Sequence, residues 1–187
     1  LFSGNSFNTT AAEFMSMNKD LKATVSLYMP DTVSFQYAAT FGGVNFMEFY
    51  ENDKVIVNPL RIRPEYMHEL ENNLVLYFTA TSRESATIIK EQVKNVNSKN
   101  EKSIDAMHQL KEQAKMMKEA LLKGKLDEFG DILDFGFQQK RKMAENISNS
   151  SIEEIYDAAK KAGATGGKIS GAGGGGFMIF YCPKNSN

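Results

Sequence analysis

Between residues 168 and 177 the chain reads KISGAGGGGF, with Gly171 followed by four consecutive glycines, Gly173 to Gly176. Glycine lacks a Cβ and tolerates positive φ, so successive amides in such a run can turn to one side and form an anion-binding nest. The chemistry this suits is phosphate recognition by backbone N–H groups. Fixing so much glycine costs about 1–2 kcal/mol of backbone entropy per residue. A plain chain reversal would manage with Asn-Gly. Two cations fit the same chemistry. Arg83, in TATSRES, can grip an anionic substrate group through two parallel hydrogen bonds, or stand in solvent at a helix start. Lys168 can face phosphate or serve as an ordinary strand lysine.

Two other phosphate loops are excluded by context. Gly171 to Gly176 formally match G-x-G-x-x-G, but a dinucleotide-binding turn follows a strand and opens a helix, whereas here an apolar strand follows. A Walker A loop needs Ser or Thr after Gly-Lys and a glycine five positions before it. Gly167-Lys168 is followed by Ile169, and Ala162 occupies the glycine position. Metal chemistry has little material, with two histidines, His68 and His108, and one cysteine, Cys182. Both histidines read as polar surface residues of helices, and Cys182, inside an apolar run, as a buried thiol; a disulfide framework is excluded.

The elements that must position the loop can be read from periodicity. Lys22–Met29 alternates as a strand, and Val44–Tyr50 with Lys54–Asn58 reads as a hairpin. Pro64 opens a short helix to about Leu70. The continuous apolar run Leu74–Thr79 predicts a strand covered on both faces. Ser85–Val96 predicts a helix, and Ser103–Leu122 another, with Ile104, Met107, Leu110, Ala114, Met117 and Leu121 on one face and Gly124 as its stop. A third helix takes Leu126, Phe129, Ile132, Leu133 and Met143, with Gly130 and Gly136 as weak points. The fourth, Ser151–Ala162, has Ser150 or Ser151 as N-cap and Gly163 as stop. Met107, Met116, Met117 and Met143 read as core filler. Strands Lys168–Ser170 and Phe177–Cys182 flank the glycine loop. This order implies an α+β arrangement, with helices on one face of a mostly antiparallel sheet.

KISGAGGGGF resembles the third motif of the GHMP small-molecule kinases. QYAATFGGVNFMEFY (36–50), VIVNPLRI (55–62), LYFTATSRES (76–85) and MKEALLKGKLDEFG (117–130) extend the likeness to the sugar-phosphate kinases of that superfamily. The resemblance implies a partial N-terminal domain (ribosomal S5 domain 2-like) over residues 1–63 and a ferredoxin-like C-terminal domain over 64–187. It implies ATP-dependent phosphorylation of the anomeric hydroxyl of heptose 7-phosphate or a related sugar, with Mg²⁺ bridging the phosphates. Ser170, Gly171, Ala172, Gly173, Gly174 and Gly175 are then the phosphate-loop residues, and Arg83 and Lys168 the substrate-binding candidates. No protein metal ligands are assigned.

The sequence also departs from that pattern. The P-x-x-x-G-L-G-S-S-S motif that supplies the main phosphate loop does not occur in residues 1–187. Phe35 stands where the family places an aspartate, immediately before Gln36, so no catalytic residue is assigned. ATVSLY (23–28) and Pro30-Asp-Thr32 resemble segments far upstream of the Gln36 stretch, so the N-terminal domain is expected to lack its centre near residue 35/36. The competing reading is a catalytically dead fragment that binds a ligand or partner.

Bulk composition fits either reading. The chain is 42% hydrophobic and 24% charged, with a formal net charge of −1. That charge gives no basic field for nucleic acid or an acidic membrane, and no segment reads as a membrane span or signal peptide. The expectation is a cytoplasmic protein whose partners are ATP and a sugar phosphate, with a homodimer as one assembly it could form.

Overall fold

The computed structural model describes residues 37, 40–50, 54–81 and 85–183. The strand expected at Lys22–Met29, the Phe35–Gln36 junction and Arg83 lie outside these residues. Strands β1 (Asn45–Phe49) and β2 (Val55–Pro59) form an antiparallel hairpin, with Asn45 opposite Pro59 and Phe49 opposite Val55. Then come helix α1 (Pro64–Asn73), strand β3 (Leu74–Phe78), helices α2 (Ser85–Asn97) and α3 (Glu101–Lys123), and α4 (Phe129–Arg141). Helix α5 (Ser150–Lys161) leads into β4 (Gly166–Ile169) and β5 (Phe177–Tyr181). The last three strands form an antiparallel sheet in the order β3-β5-β4. The architecture is α+β, as the pattern of periodicities implies.

Local chemistry explains the boundaries. Pro64 stands in the first turn of α1, where its missing N–H costs nothing. Asn100 caps α3 by accepting from the Ser103 amide at 3.1 Å, and Gly124, at φ 68°, ends it in the left-handed conformation. The cap of α5 is Asn149, whose side chain accepts from the Ile152 amide at 3.1 Å. The expected caps Ser150 and Ser151 are already helical, because the extended backbone needed by a cap falls one residue earlier.

Three apolar clusters hold the layers together. Helix α3 contributes Met107 and Leu110 to one of them, with Ile88 and Ile89 of α2, Ile147 and Ala172. Further along, Met117 and Leu121 meet Phe129, Ile132 and Leu133 of α4 and Tyr181 of β5. The third joins Phe137, Ile152 and Tyr156 to the sheet residues Ile169, Met178 and Phe180, with buried Cys182. Each fully buried side chain of this size contributes about 1.5–3 kcal/mol. Gly130 and Gly136 are contact points, not weak points, in α4. A Cβ on Gly130 would meet Thr165 and the Gly166 amide, and one on Gly136 would meet Gln113. Gln113 is buried there and donates to the Ile132 carbonyl at 3.0 Å.

Four further expectations are resolved. His68 and His108 are exposed on helices. Met107, Met117 and Met143 are buried, but Met116 is 46% exposed, because it faces away from the α3 stripe. Met143 packs in the turn after α4, outside the helix. The β3 run is not covered on both faces. Leu76, Tyr77 and Phe78 are 63%, 47% and 56% exposed. The strand is an outer one whose pairing, among the described residues, is to β5 alone.

Candidate functional site

The glycine loop joins β4 to β5, and its closure starts with the Ser170 amide donating to the Phe177 carbonyl at 2.7 Å. Beyond that point the loop is fastened from three directions. From the end of β3, the Thr79 amide and hydroxyl donate to the Gly176 carbonyl at 2.8 and 2.9 Å, and the Gly176 amide donates to the Thr81 carbonyl at 2.8 Å. From the turn before α5, the Ile147 carbonyl accepts the Gly174 amide at 2.8 Å, and the Asn149 side-chain amide donates to the Gly174 carbonyl at 3.3 Å. From α4, the Lys140 ammonium donates to the Gly171 carbonyl.

This fastening explains why the residues are glycines. Gly171, Gly173, Gly174 and Gly176 have φ values of 76°, 119°, 76° and 90°, a region costly for other residues. At Gly173 a Cβ would also stand 2.8 Å from the Ile147 carbonyl oxygen, and at Gly175 2.6 Å from that of Thr81. At Gly171 nothing lies within 4 Å of the position a Cβ would take, and the residue is exposed. The loop thus has an inner side packed against Ile147 and Thr81 and an open backbone at Gly171, where a ligand can approach closely. Two amides, those of Gly174 and Gly176, serve the scaffold.

Two lysines lie beneath the loop. Lys168, on β4, is 8% exposed, and Lys140, on α4, 2%. Burial pushes the Lys168 ammonium down to about 8. Burial and the neighbouring Lys168 charge together hold Lys140 well below the ordinary lysine range. Burial and mutual repulsion thus both disfavour the charged form of this pair, and an anion placed above the loop would favour it.

The candidate residues Ser170 to Gly175 and Lys168 are therefore gathered at one place, while Arg83 lies outside the described residues. Thr81, two residues before Arg83 in the chain, touches Gly175 and Gly176. Sequence reading missed Lys140, Asn149, Thr79 and Ile147. The apolar residue Ile147 acts through its backbone, and nothing in QQKRK separates Lys140 from its neighbours. Among the described residues no group of three or more His, Cys, Asp or Glu is placed to hold a metal ion, and no helix is long and apolar enough to cross a membrane.

Known proteins resemble this chain in sequence and fold. Residues 117–187 match the family model described as GHMP kinases C terminal. The chain is 49% identical to the D-glycero-alpha-D-manno-heptose 7-phosphate kinase of Campylobacter jejuni over 146 residues, which are 78% of this chain and 42% of that protein. The crystal structure of a D-glycero-D-manno-heptose 1-phosphate kinase from Bacteroides thetaiotaomicron is 39% identical, with a TM-score of 0.53, over 79% of this chain and 37% of that one. Mevalonate kinase of Leishmania major, at 21% identity, shares the fold with a TM-score of 0.67, over 81% of this chain and 44% of its own. The chain thus spans less than half the length of these relatives. Its glycine loop falls within residues 117–187, the segment that matches the GHMP kinase C-terminal family model.

Proposed function

We propose that the protein is an ATP-dependent sugar-phosphate kinase that transfers the γ-phosphoryl group to the anomeric hydroxyl of heptose 7-phosphate or a closely related sugar. The observation that supports this most is the glycine loop, anchored on three sides with open backbone at Gly171, in a chain 49% identical to a heptose 7-phosphate kinase. Ser170 to Gly175 border the nucleotide phosphates. Their task is positioning, together with stabilisation of charge that develops on the transferring group. Lys168 and Lys140 lie beneath the loop, where a bound phosphate would favour their charged forms. Arg83 is assigned to an anionic group of the sugar, because a guanidinium can grip a phosphate through two parallel hydrogen bonds. Bound Mg²⁺ would supply charge neutralisation between the phosphates, held there by the nucleotide rather than by any described carboxylate cluster.

In this reading residues 1–63 belong to a partial N-terminal domain and 64–187 to a C-terminal one, in a cytoplasmic enzyme with a homodimer as one assembly it could form. Phe35, at the position of the family aspartate, favours a second reading, in which the protein binds its ligands without transferring phosphate. The deciding experiment incubates the full chain with ATP and heptose 7-phosphate and follows ADP and the sugar bisphosphate. Product formation that disappears on Gly174→Val supports the kinase. ATP binding without product would replace it with the second reading. Parallel reactions with heptose 1-phosphate and galactose identify the sugar.

A further inference from the structure

Three carbonyls of the loop are held by the scaffold: Gly171 by Lys140, Gly174 by Asn149, and Gly176 by Thr79. A trans peptide places its N–H antiparallel to its C=O, so fixing a carbonyl also aims the next residue's amide. Lys140 draws the Gly171 carbonyl toward α4 and thereby turns the Ala172 N–H away from that helix. Asn149 draws the Gly174 carbonyl toward the cap of α5 and turns the Gly175 N–H away from it. The Gly174 and Gly176 amides are already committed to Ile147 and Thr81. Of the glycine-run amides considered for phosphate, the two aimed by held carbonyls are those of Ala172 and Gly175.

We infer that Lys140 is a positioning residue for phosphate recognition: its ammonium fixes the Gly171–Ala172 peptide so that the Ala172 amide, alongside that of Gly175, is presented to the nucleotide. The inference rests on the reading that this loop borders the phosphates of ATP. A lysine amine suits the task because it keeps N–H donors for a carbonyl whether or not it carries the extra proton. A glycine with open space around it, such as Gly171, otherwise has no side chain to fix its peptide plane. Position on the helix decides which lysine serves. Lys142, two residues further on, bonds instead to the Gln139 side chain at 2.8 Å. Lys140, the penultimate residue of α4, is the one that bonds to the loop.

The test uses the ¹⁵N-labelled full chain and a non-hydrolysable ATP analogue. In the wild type the Ala172 and Gly175 amide resonances are expected to shift on titration. Lys140→Met removes the donor at nearly constant volume. It should abolish the Ala172 shift, retain that of Gly175, and raise KM for ATP about tenfold, the scale of one charged hydrogen bond, with kcat nearly unchanged. Asn149→Asp keeps the cap of α5 but loses the donor, and should give the mirror result: Gly175 silent, Ala172 responsive. If the lysine variant fails to fold, the wild-type titration decides: an Ala172 resonance that stays unmoved overturns the inference. Analogue binding that leaves Ala172 unmoved in the wild type overturns this inference alone, as does a folded Lys140→Met chain with wild-type KM. A wild-type chain that binds no ATP analogue overturns the kinase reading, and this inference with it.

Discussion

The backbone amide of Gly174 meets the carbonyl of Ile147 across 2.8 Å, and the preceding residue, Gly173, would set any Cβ at 2.8 Å from that same oxygen. The bond and the absent side chain are one device. Gly173→Ala must therefore push the loop off the turn before α5 as well as accept a positive φ. A loss of about 2–3 kcal/mol is expected in urea unfolding, with phosphoryl transfer falling at least a hundredfold. Gly171→Ala meets no neighbour and should cost only about 1 kcal/mol. Equal losses at the two positions would contradict this account.

Asn149 performs two tasks with two different atoms, and they can be separated. Its oxygen caps α5, and its nitrogen holds the Gly174 carbonyl. Asn149→Ala loses both, with about 1 kcal/mol attributable to the cap. Asn149→Asp should keep the cap, so its thermal midpoint stays close to that of the wild type, while KM for ATP rises several-fold. A wild-type KM in the aspartate variant would show that the Gly174 contact has no bearing on binding.

The buried lysines set the sign of a pH dependence. The Lys168 ammonium is held at about 8 in the folded chain and Lys140 well below the ordinary value, whereas an unfolded lysine titrates near 10.4. Between about pH 8 and 10 the unfolded chain thus holds more protons. For Lys168 the penalty for burying the charge is complete below about pH 8 and relieved as pH rises, at most by about 1.4 kcal/mol per pH unit. Urea midpoints should climb from pH 8 to 9.5, and Lys168→Met should flatten the climb. Above about pH 10 the trend reverses, since burial raises Tyr156 and Tyr181. A midpoint that falls between pH 8 and 9.5 would contradict the electrostatics.

Helix α4 and strand β4 approach through two glycines. A Cβ on Gly166 would stand 1.8 Å from the Gly130 carbonyl oxygen, a backbone obstruction that no side-chain rotation relieves. Gly166→Ala is expected to cost more than about 3 kcal/mol and to displace the Lys140–Lys168 pair with the layer. Gly130→Ala first meets the Thr165 side chain, which can move, so it should be the milder change. Circular dichroism melts of the two variants give the comparison.

Much of this scaffold was legible in residue periodicity, and the site only in part. The α3 stripe was legible because Met107, Leu110, Ala114, Met117 and Leu121 recur at helical spacing, and that spacing is what a buried face requires. The glycine loop was legible because glycine alone adopts such a run of positive φ at little cost. The exposure of Leu76 to Phe78 was not, since an apolar strand reads the same whether covered or bare. Lys140 was invisible for a different reason. Its role comes from a carbonyl 31 residues away, and sequence pattern registers neighbours on an element rather than partners across the fold. Asn149 escaped as the cap because two serines follow it, each an equally good cap by type.

The Thr79–Gly176 bond joins positions 97 residues apart. That separation has a kinetic meaning. The loop cannot take its shape until β3 and β5 have paired, and closing so long a stretch of chain is entropically slow. The glycine loop is therefore expected to take its shape late, once distant parts of the chain have met, and any opening that separates β3 from β5 removes the Thr79 fastening.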